Sequence, residues 1–201
     1  MDLLKLPTDC LEVPCVRRTA AWFLSALAAG VLFCCIAAAQ SGQPSEYEVK
    51  AAFLFNFTKF VEWPDSTFSG PQAPIVIGII GDDPFGDGLI RIVAGQKAQG
   101  RAIVIIKYRY GDDLRRCQVL FISASERQRS GEILAKLQDA SVLTVSDIDG
   151  FAEAGGVMQF VMQESRVHFV VNLDAATQSK LHVSAKLLAL ARVINHNEAA
   201  R

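Results

Sequence analysis

Apolar and polar positions follow three rhythms along this chain, and each rhythm predicts a kind of element. From residue 46 the spacing is helical: Val49, Phe53, Phe57, Phe60 and Val61 recur close to every third or fourth position. Leu54 and Phe55 add apolar surface on other faces, so much of this helix is expected to be buried. Ser45 followed by Glu48 spells a capping box, which sets the start of a helix over 46–62. Pro64 stops it, because the residue before a proline avoids the α region. The Ser-, Gly- and Pro-rich stretch 65–74 reads as a loop.

The second rhythm is the continuous β-branched run. Ile75-Val76-Ile77-Gly78-Ile79-Ile80 has no polar alternation, as expected of a strand buried on both faces in a parallel sheet. Further strands are predicted at Ala102 to Lys107, Val119 to Ile122 and Val142 to Val145. Between them, Asp83 as N-cap with Pro84 at the first helical position predicts a short helix toward Val93. Ser125 with Gln128 forms a second capping box, for a helix to about Gln138 with Ile133, Leu134 and Leu137 inward. Asp147 to Glu153 reads as one or two helical turns before Gly155-Gly156.

In the third rhythm the period switches to two. Val157 to Gln163 and Arg166 to Asn172 read as antiparallel strands joined near Glu164-Ser165. Met158, Phe160 and Met162 share one face, as do Val167, Phe169 and Val171. A closing helix is predicted from Ser184, with Leu187, Leu190, Ala191 and Ile194 in an amphipathic stripe. Together these elements predict a single-domain α/β sandwich: a mixed, partly parallel central sheet flanked by helices.

The N-terminus changes this picture. Arg17-Arg18 precede an apolar run, Ala20 to Ile36, that ends in Ala37-Ala38-Ala39. A basic region, an apolar region and a small-residue site describe a secretory signal, with cleavage expected near Ala39. Residues 1–39 are therefore expected to be an N-terminal extension and signal peptide, and 40–201 the folded domain. A permanent anchor is the alternative for so long a run, but the small residues at its end favour cleavage. Of the five cysteines only Cys117 lies in the mature part, so no internal disulfide can form there. Cys117 is expected to be a buried apolar residue, with an intermolecular bridge as the alternative.

Charge and motifs exclude several functions. The formal net charge is −1 over 201 residues with both signs interspersed, which argues against a nucleic-acid partner and against a polybasic membrane surface. Asp82-Asp83 follows a predicted strand, where open α/β sheets bind ligands. A receiver-type phosphorylation site would need a further Asp and a Lys after later strands, and Ser123-Ala124 stands there instead. The glycines at 78, 81, 86 and 88 form neither a dinucleotide fingerprint nor a phosphate loop. His168, His182 and His196 lack helical metal spacing, and no nucleophile elbow surrounds Ser123, Ser125 or Cys117. No catalytic residue, metal or cofactor is expected. A Ser-His-Asp set assembled by the fold stays open as a minor alternative. Arg115-Arg116 and Arg127 with Arg129 read as solvated surface, or as contacts to an acidic partner.

Against this reading a resemblance can be set. Glu48-Val-Lys-Ala-Ala-Phe-Leu-Phe-Asn-Phe-Thr-Lys-Phe-Val-Glu-Trp-Pro64 resembles the opening of the YfiR family. Ile77 to Gly86 is similar to that family's first strand and turn, and the runs Val167 to Ala176 and Val183 to Val193 to its closing part. The resemblance covers nearly all of residues 46–195. It implies a periplasmic, dimeric α/β protein that represses a membrane-bound diguanylate cyclase by binding its periplasmic sensor region. It also implies an outer-membrane lipoprotein that sequesters the repressor, after which cyclic di-GMP rises and biofilm forms. The chain departs from the best-known member, which carries disulfide-forming cysteine pairs where this mature chain has only Cys117.

Two sets of residues are candidate sites. The first helix and its end carry more aromatic surface than one face buries, so Phe55 and Trp63 are candidates for an exposed partner-binding patch. If the protein instead binds a small ligand, Asp82, Asp83 and Phe85 are expected to line the pocket.

Overall fold

A computed structural model describes residues 44–195, which form one compact unit. The expected extension, signal peptide and cleavage site lie outside the described residues. In chain order the helices are α1 (Glu46–Phe60), α2 (Asp87–Val93), α3 (Ser130–Lys136), α4 (Leu173–Gln178) and α5 (Ala185–Leu188). The strands are β1 (Val61–Glu62), β2 (Ile75–Ile80), β3 (Lys97–Ala98), β4 (Arg101–Tyr108), β5 (Val119–Ile122), β6 (Leu143–Ser146), β7 (Met158–Gln163), β8 (Arg166–Asn172), β9 (His182–Val183) and β10 (Arg192–Ile194).

Eight strands form one mixed sheet in the order β10-β8-β7-β6-β5-β2-β4-β3. Its centre is parallel: β2 pairs with both β4 and β5, β5 with β6, and β6 with β7. The hairpin β7–β8 is antiparallel, and its register sets Phe160 opposite Phe169 and Met162 opposite Val167, as the two-residue period required. β1 and β9 form a separate antiparallel ribbon.

The sheet divides the core into two layers. On one face α1 lies over Ile77, Ile79, Val119, Phe121, Leu143 and Val145. Here Phe53 and Phe57 pack against Phe160 and Phe169 with ring centroids 5.3–6.2 Å apart. On the other face α3 brings Ile133 and Leu137 onto Ile80, Leu120, Ile122 and Phe151. The alternation along β2 and β5 is visible in this split, since neighbouring residues enter opposite layers. Gly78 in β2 is required by close packing: a Cβ there would stand 2.7 Å from the Tyr108 ring.

The capping box at α1 is present, with Ser45 Oγ accepting from Glu48 N–H at 3.3 Å and Ser45 N–H donating to Glu48 Oε2 at 2.8 Å. Other predicted helices differ. Asp83 does not open a helix; its Oδ1 accepts from Phe85 N–H at 2.9 Å, closing a tight turn, and α2 begins only after Gly86. Ser123, not Ser125, caps the next segment, which runs as a 3-10 helix over Ala124–Arg129 before α3. Ser125 Oγ is taken by Asp82 N–H at 2.9 Å. The stretch after Ser146 is a series of turns rather than a regular helix.

The largest difference is at the end. The predicted helix through Leu187, Leu190, Ala191 and Ile194 stops at Leu188, and β10 follows, parallel to β8. The open side of β8 offers backbone partners to the β-branched Val193 and Ile194, and that tertiary pairing outweighs a stripe only two turns long. Leu190 is left exposed.

Candidate functional site

The carboxyl ends of β2, β5 and β6 deliver Gly81-Asp82-Asp83, Ser123 and Asp147 to one end of the sheet. Gly81, at φ +88°, turns the chain there; a Cβ would collide with the Ser125 hydroxyl. The first two turns of α1 pass over the same end and lower Glu46, Tyr47 and Lys50 onto Asp147.

Lys50 is the unusual residue. Its side chain is only 3 % exposed, and Asp147 is 10 % exposed. Lys50 Nζ donates to Asp147 Oδ2 at 2.7 Å and pairs with Glu46 Oε1 at 2.5 Å, one turn back on the helix. It also lies 4.4 Å from the centre of the Tyr47 ring, close enough for a cation–π contact. Tyr47 O–H donates to the same Asp147 Oδ2 at 3.0 Å. Burial works against the charged ammonium, but the hydrogen bonds to Asp147 and Glu46 outweigh it and hold the Lys50 pKa above its ordinary value. Burial, reinforced by the Asp147 charge, raises the Tyr47 phenol in turn. Asp147 Oδ1 is buried without a protein partner. Two carboxylates against one ammonium leave this cluster net acidic.

A cleft of about 520 Å³ opens beside the cluster, lined by Glu46, Tyr47, Lys50, Asp147, Phe160 and Met162 among others. Acidic groups on one side and aromatic and apolar walls on the other suit a cationic or hydrogen-bond-donating group on an apolar body.

The residues singled out from the sequence fall in different places. Phe85 is buried, edge-on to Tyr47 at 5.8 Å and to Phe121 at 4.7 Å. Asp83 pairs with Lys107 at 2.7 Å, and Asp82 is exposed. These three stand beside the acidic cleft, joined to it through the Phe85–Tyr47 contact, and do not line it. Phe55 is half-buried with Lys59 Nζ over its ring at 3.9 Å. Trp63 is only 7 % exposed, and its indole N–H donates to Gln118 O at 3.0 Å. It is therefore a core residue and presents no docking surface in this chain.

The nucleophiles weighed earlier are occupied by structural contacts. Cys117 is buried, its thiol donates to Leu114 O, and burial pushes its pKa up to about 12, far from thiolate chemistry. Ser123 Oγ accepts from Ser125 N–H. Lys50 and Asp147 escaped the sequence reading. The available signal was Lys50 itself, which stands three and seven residues before Phe53 and Phe57, inside the apolar stripe of α1.

Comparison with known proteins adds the following. The sequence model of the YfiR/HmsC-like family matches residues 47–192. No curated protein matches the chain. Among solved structures, a conserved domain protein from Vibrio cholerae O1 biovar El Tor is similar with a TM-score of 0.50 at 12 % identity. That match covers 76 % of this chain and 61 % of the other, so the chain spans about three fifths of that protein. The ABC domain from Streptococcus pneumoniae, in complex with L-Trp, gives a TM-score of 0.44 at 11 % identity, over 60 % of this chain and 55 % of that one. The first likeness, at 12 % identity, is one of fold alone.

Proposed function

The chain belongs to the YfiR/HmsC-like family, and from that premise we propose that it is a periplasmic regulatory binding protein without catalysis. In this reading it represses an inner-membrane signalling protein, such as a diguanylate cyclase, by binding its periplasmic sensor region. It acts as a homodimer, and an outer-membrane lipoprotein that sequesters it relieves the repression. The observation that carries the reading is the family match over 47–192, which takes in nearly all of α1, the Glu62-Trp63-Pro64 stretch after it and nearly the whole sheet. Support of a second kind comes from Cys117 and Ser123, whose recorded contacts are structural. Residues 1–39 supply the export signal in this proposal.

The test is cellular cyclic di-GMP in a deletion strain, rescued with the full gene or with a version lacking residues 1–39. A rise on deletion, reversed only by the exported form, is expected. An unchanged level across growth conditions sinks the cyclase as the target.

The acidic cleft favours a second reading, a small-ligand-binding protein, with Asp82, Asp83 and Phe85 as the flank of the site. Thermal shift with phenethylamine and with phenylpropionate tests it: the amine is expected to raise the melting temperature and the acid to leave it unchanged. Equal effects, or none, count against the site.

A further inference from the structure

We infer that two copies of this chain join along the outer edge of β4, continuing the sheet across a two-fold axis at Ile105. This rests on the reading of the protein as a homodimer and supplies the surface that reading leaves open.

The edge is bare for most of its length. β3 pairs only with Arg101 and Ala102, so Ile103 to Lys107 have no strand on their outer side among the described residues. The hairpin that joins β3 to β4 has positive φ at both Gln99 (52°) and Gly100 (76°), the signature of a type I′ turn. In such a hairpin the residues flanking the turn, Ala98 and Arg101, exchange backbone hydrogen bonds. Counting by twos from Arg101, the N–H and C=O of Ile103, Ile105 and Lys107 point outward, away from β2. Unpaired groups of this kind are a template for another strand.

The side chains on this edge are those of an interior strand. Val104 is 37 % exposed and Ile106 41 %, although both are β-branched and apolar. α2 packs against β4, and its Ile90 is exposed as well. The usual guard of an open edge is a lysine. Here Lys107 is drawn back by Asp83, 2.7 Å away at the carboxyl end of β2, and does not shield the edge.

A second copy fits because the edge is complementary to itself. Antiparallel pairing about Ile105 sets Ile105 opposite its own copy, Ile103 opposite Lys107, and Val104 opposite Ile106. The outward backbone groups of the odd residues then meet each other. The two exposed apolar residues cover one another on a single face, as cross-strand pairs should. Such an isologous contact closes after two copies and uses up the β4 edge of both. The opposite edge is a weaker candidate: β10 has three residues and begins with the exposed Arg192.

Sedimentation velocity of the exported protein over a concentration series tests the interface. The wild type is expected to be a dimer. Val104→Lys combined with Ile106→Lys places like charges opposite each other and is expected to weaken association about a hundredfold. Val104→Lys combined with Ile106→Glu restores opposite charges in this register and is expected to recover most of the loss. Both positions are exposed, and circular dichroism checks that each variant stays folded. Ile105→Cys is expected to give a disulfide-linked dimer on mild oxidation, since a hydrogen-bonded pair sets Cα atoms about 5.5 Å apart. A monomeric wild type, a dimer indifferent to the double lysine variant, or loss of the dimer through Leu190→Lys at β10 instead, overturns the inference. Equal weakness of the two charge combinations together with no cross-link overturns the register. Sedimentation reads the interface and cyclic di-GMP reads the repressor, so the two proposals fail separately.

Discussion

Among the described residues two lysine–aspartate pairs stand at the same end of the sheet, with the same 2.7 Å separation and an aspartate 10 % exposed in each, but with lysines in opposite surroundings. Lys50 reaches Asp147 under α1, with both side chains at least nine-tenths buried. Lys107 reaches Asp83 across the ends of β4 and β2, with the lysine 65 % exposed. Distance alone says the two are equal. Water decides otherwise: it hydrates the Lys107 ammonium whether or not the pair forms, whereas Lys50 is held out of water by the fold around it. The lesson is that the worth of a pair is set by the burial of its partners, not by its length.

The sharpest way to break this comparison is Lys50→Met. It leaves the buried Asp147 carboxylate without its cation and is expected to cost about 3–5 kcal/mol, or on the order of 10 °C in melting temperature. Lys50→Met with Asp147→Leu removes both charges and is expected to recover most of that loss. Urea denaturation of the single and double variants measures both. A single variant that melts within a degree of wild type would show that water already reaches the pair, and the contrast with Lys107 would collapse.

Much of the frame around these pairs was legible in the sequence. The capping box at Ser45, the β-branched run of β2 and the two-residue period of β7 and β8 are local signals, and each predicted its element. What was missed depends on partners far along the chain. β10 exists because β8 has an open side, and no property of Val193 or Ile194 alone announces that. Asp83 was expected to cap a helix, yet the same carboxylate closes a turn on Phe85 and holds Lys107, a contact that needs β4 beside β2. Trp63 looked like surplus aromatic surface because its partner, the Gln118 carbonyl, is fifty-five positions away. The Lys50–Asp147 pair, ninety-seven positions apart, was invisible for the same reason.

Alkaline titration sharpens the comparison at smaller amplitude. Lys50, Tyr47, Tyr108 and Cys117 all hold their protons more tightly than usual. A group whose pKa is raised by folding contributes stability that is complete below its unfolded pKa and is lost as pH climbs through the folded one. For Cys117 that window runs from 9.0 to about 12, and for Tyr108 from 10.0 to about 12, burial being the main cause for each. The urea midpoint is therefore expected to fall from about pH 9 upward. Cys117→Ala should flatten the first part of that fall. In that background Lys50→Met should flatten it further above the ordinary lysine pKa of 10.5. The hydrogen bond to Asp83 raises the Lys107 ammonium too, but solvent screens that exposed pair, so Lys107→Met should flatten the slope much less. An equal change from both lysines would mean that burial does not separate the pairs.

The smallest expected effect belongs to Lys107→Ala, and it is informative because its partner does more than pair. The exposed ammonium is hydrated whether or not Asp83 is near, so its loss is expected to move the melting temperature by less than about 2 °C. About 1 M salt, which shortens the screening length to roughly 3 Å, should erase even that difference. Asp83→Ala also removes the Oδ1 acceptor that holds Phe85 N–H, and through it the ring that packs on Tyr47 and Phe121. It is expected to cost clearly more than Lys107→Ala in the same melting experiment. If instead the two cost the same, Asp83 acts only through its charge. The turn would then hold Phe85 without it, and the two lysine–aspartate pairs would be independent rather than joined through one aromatic ring.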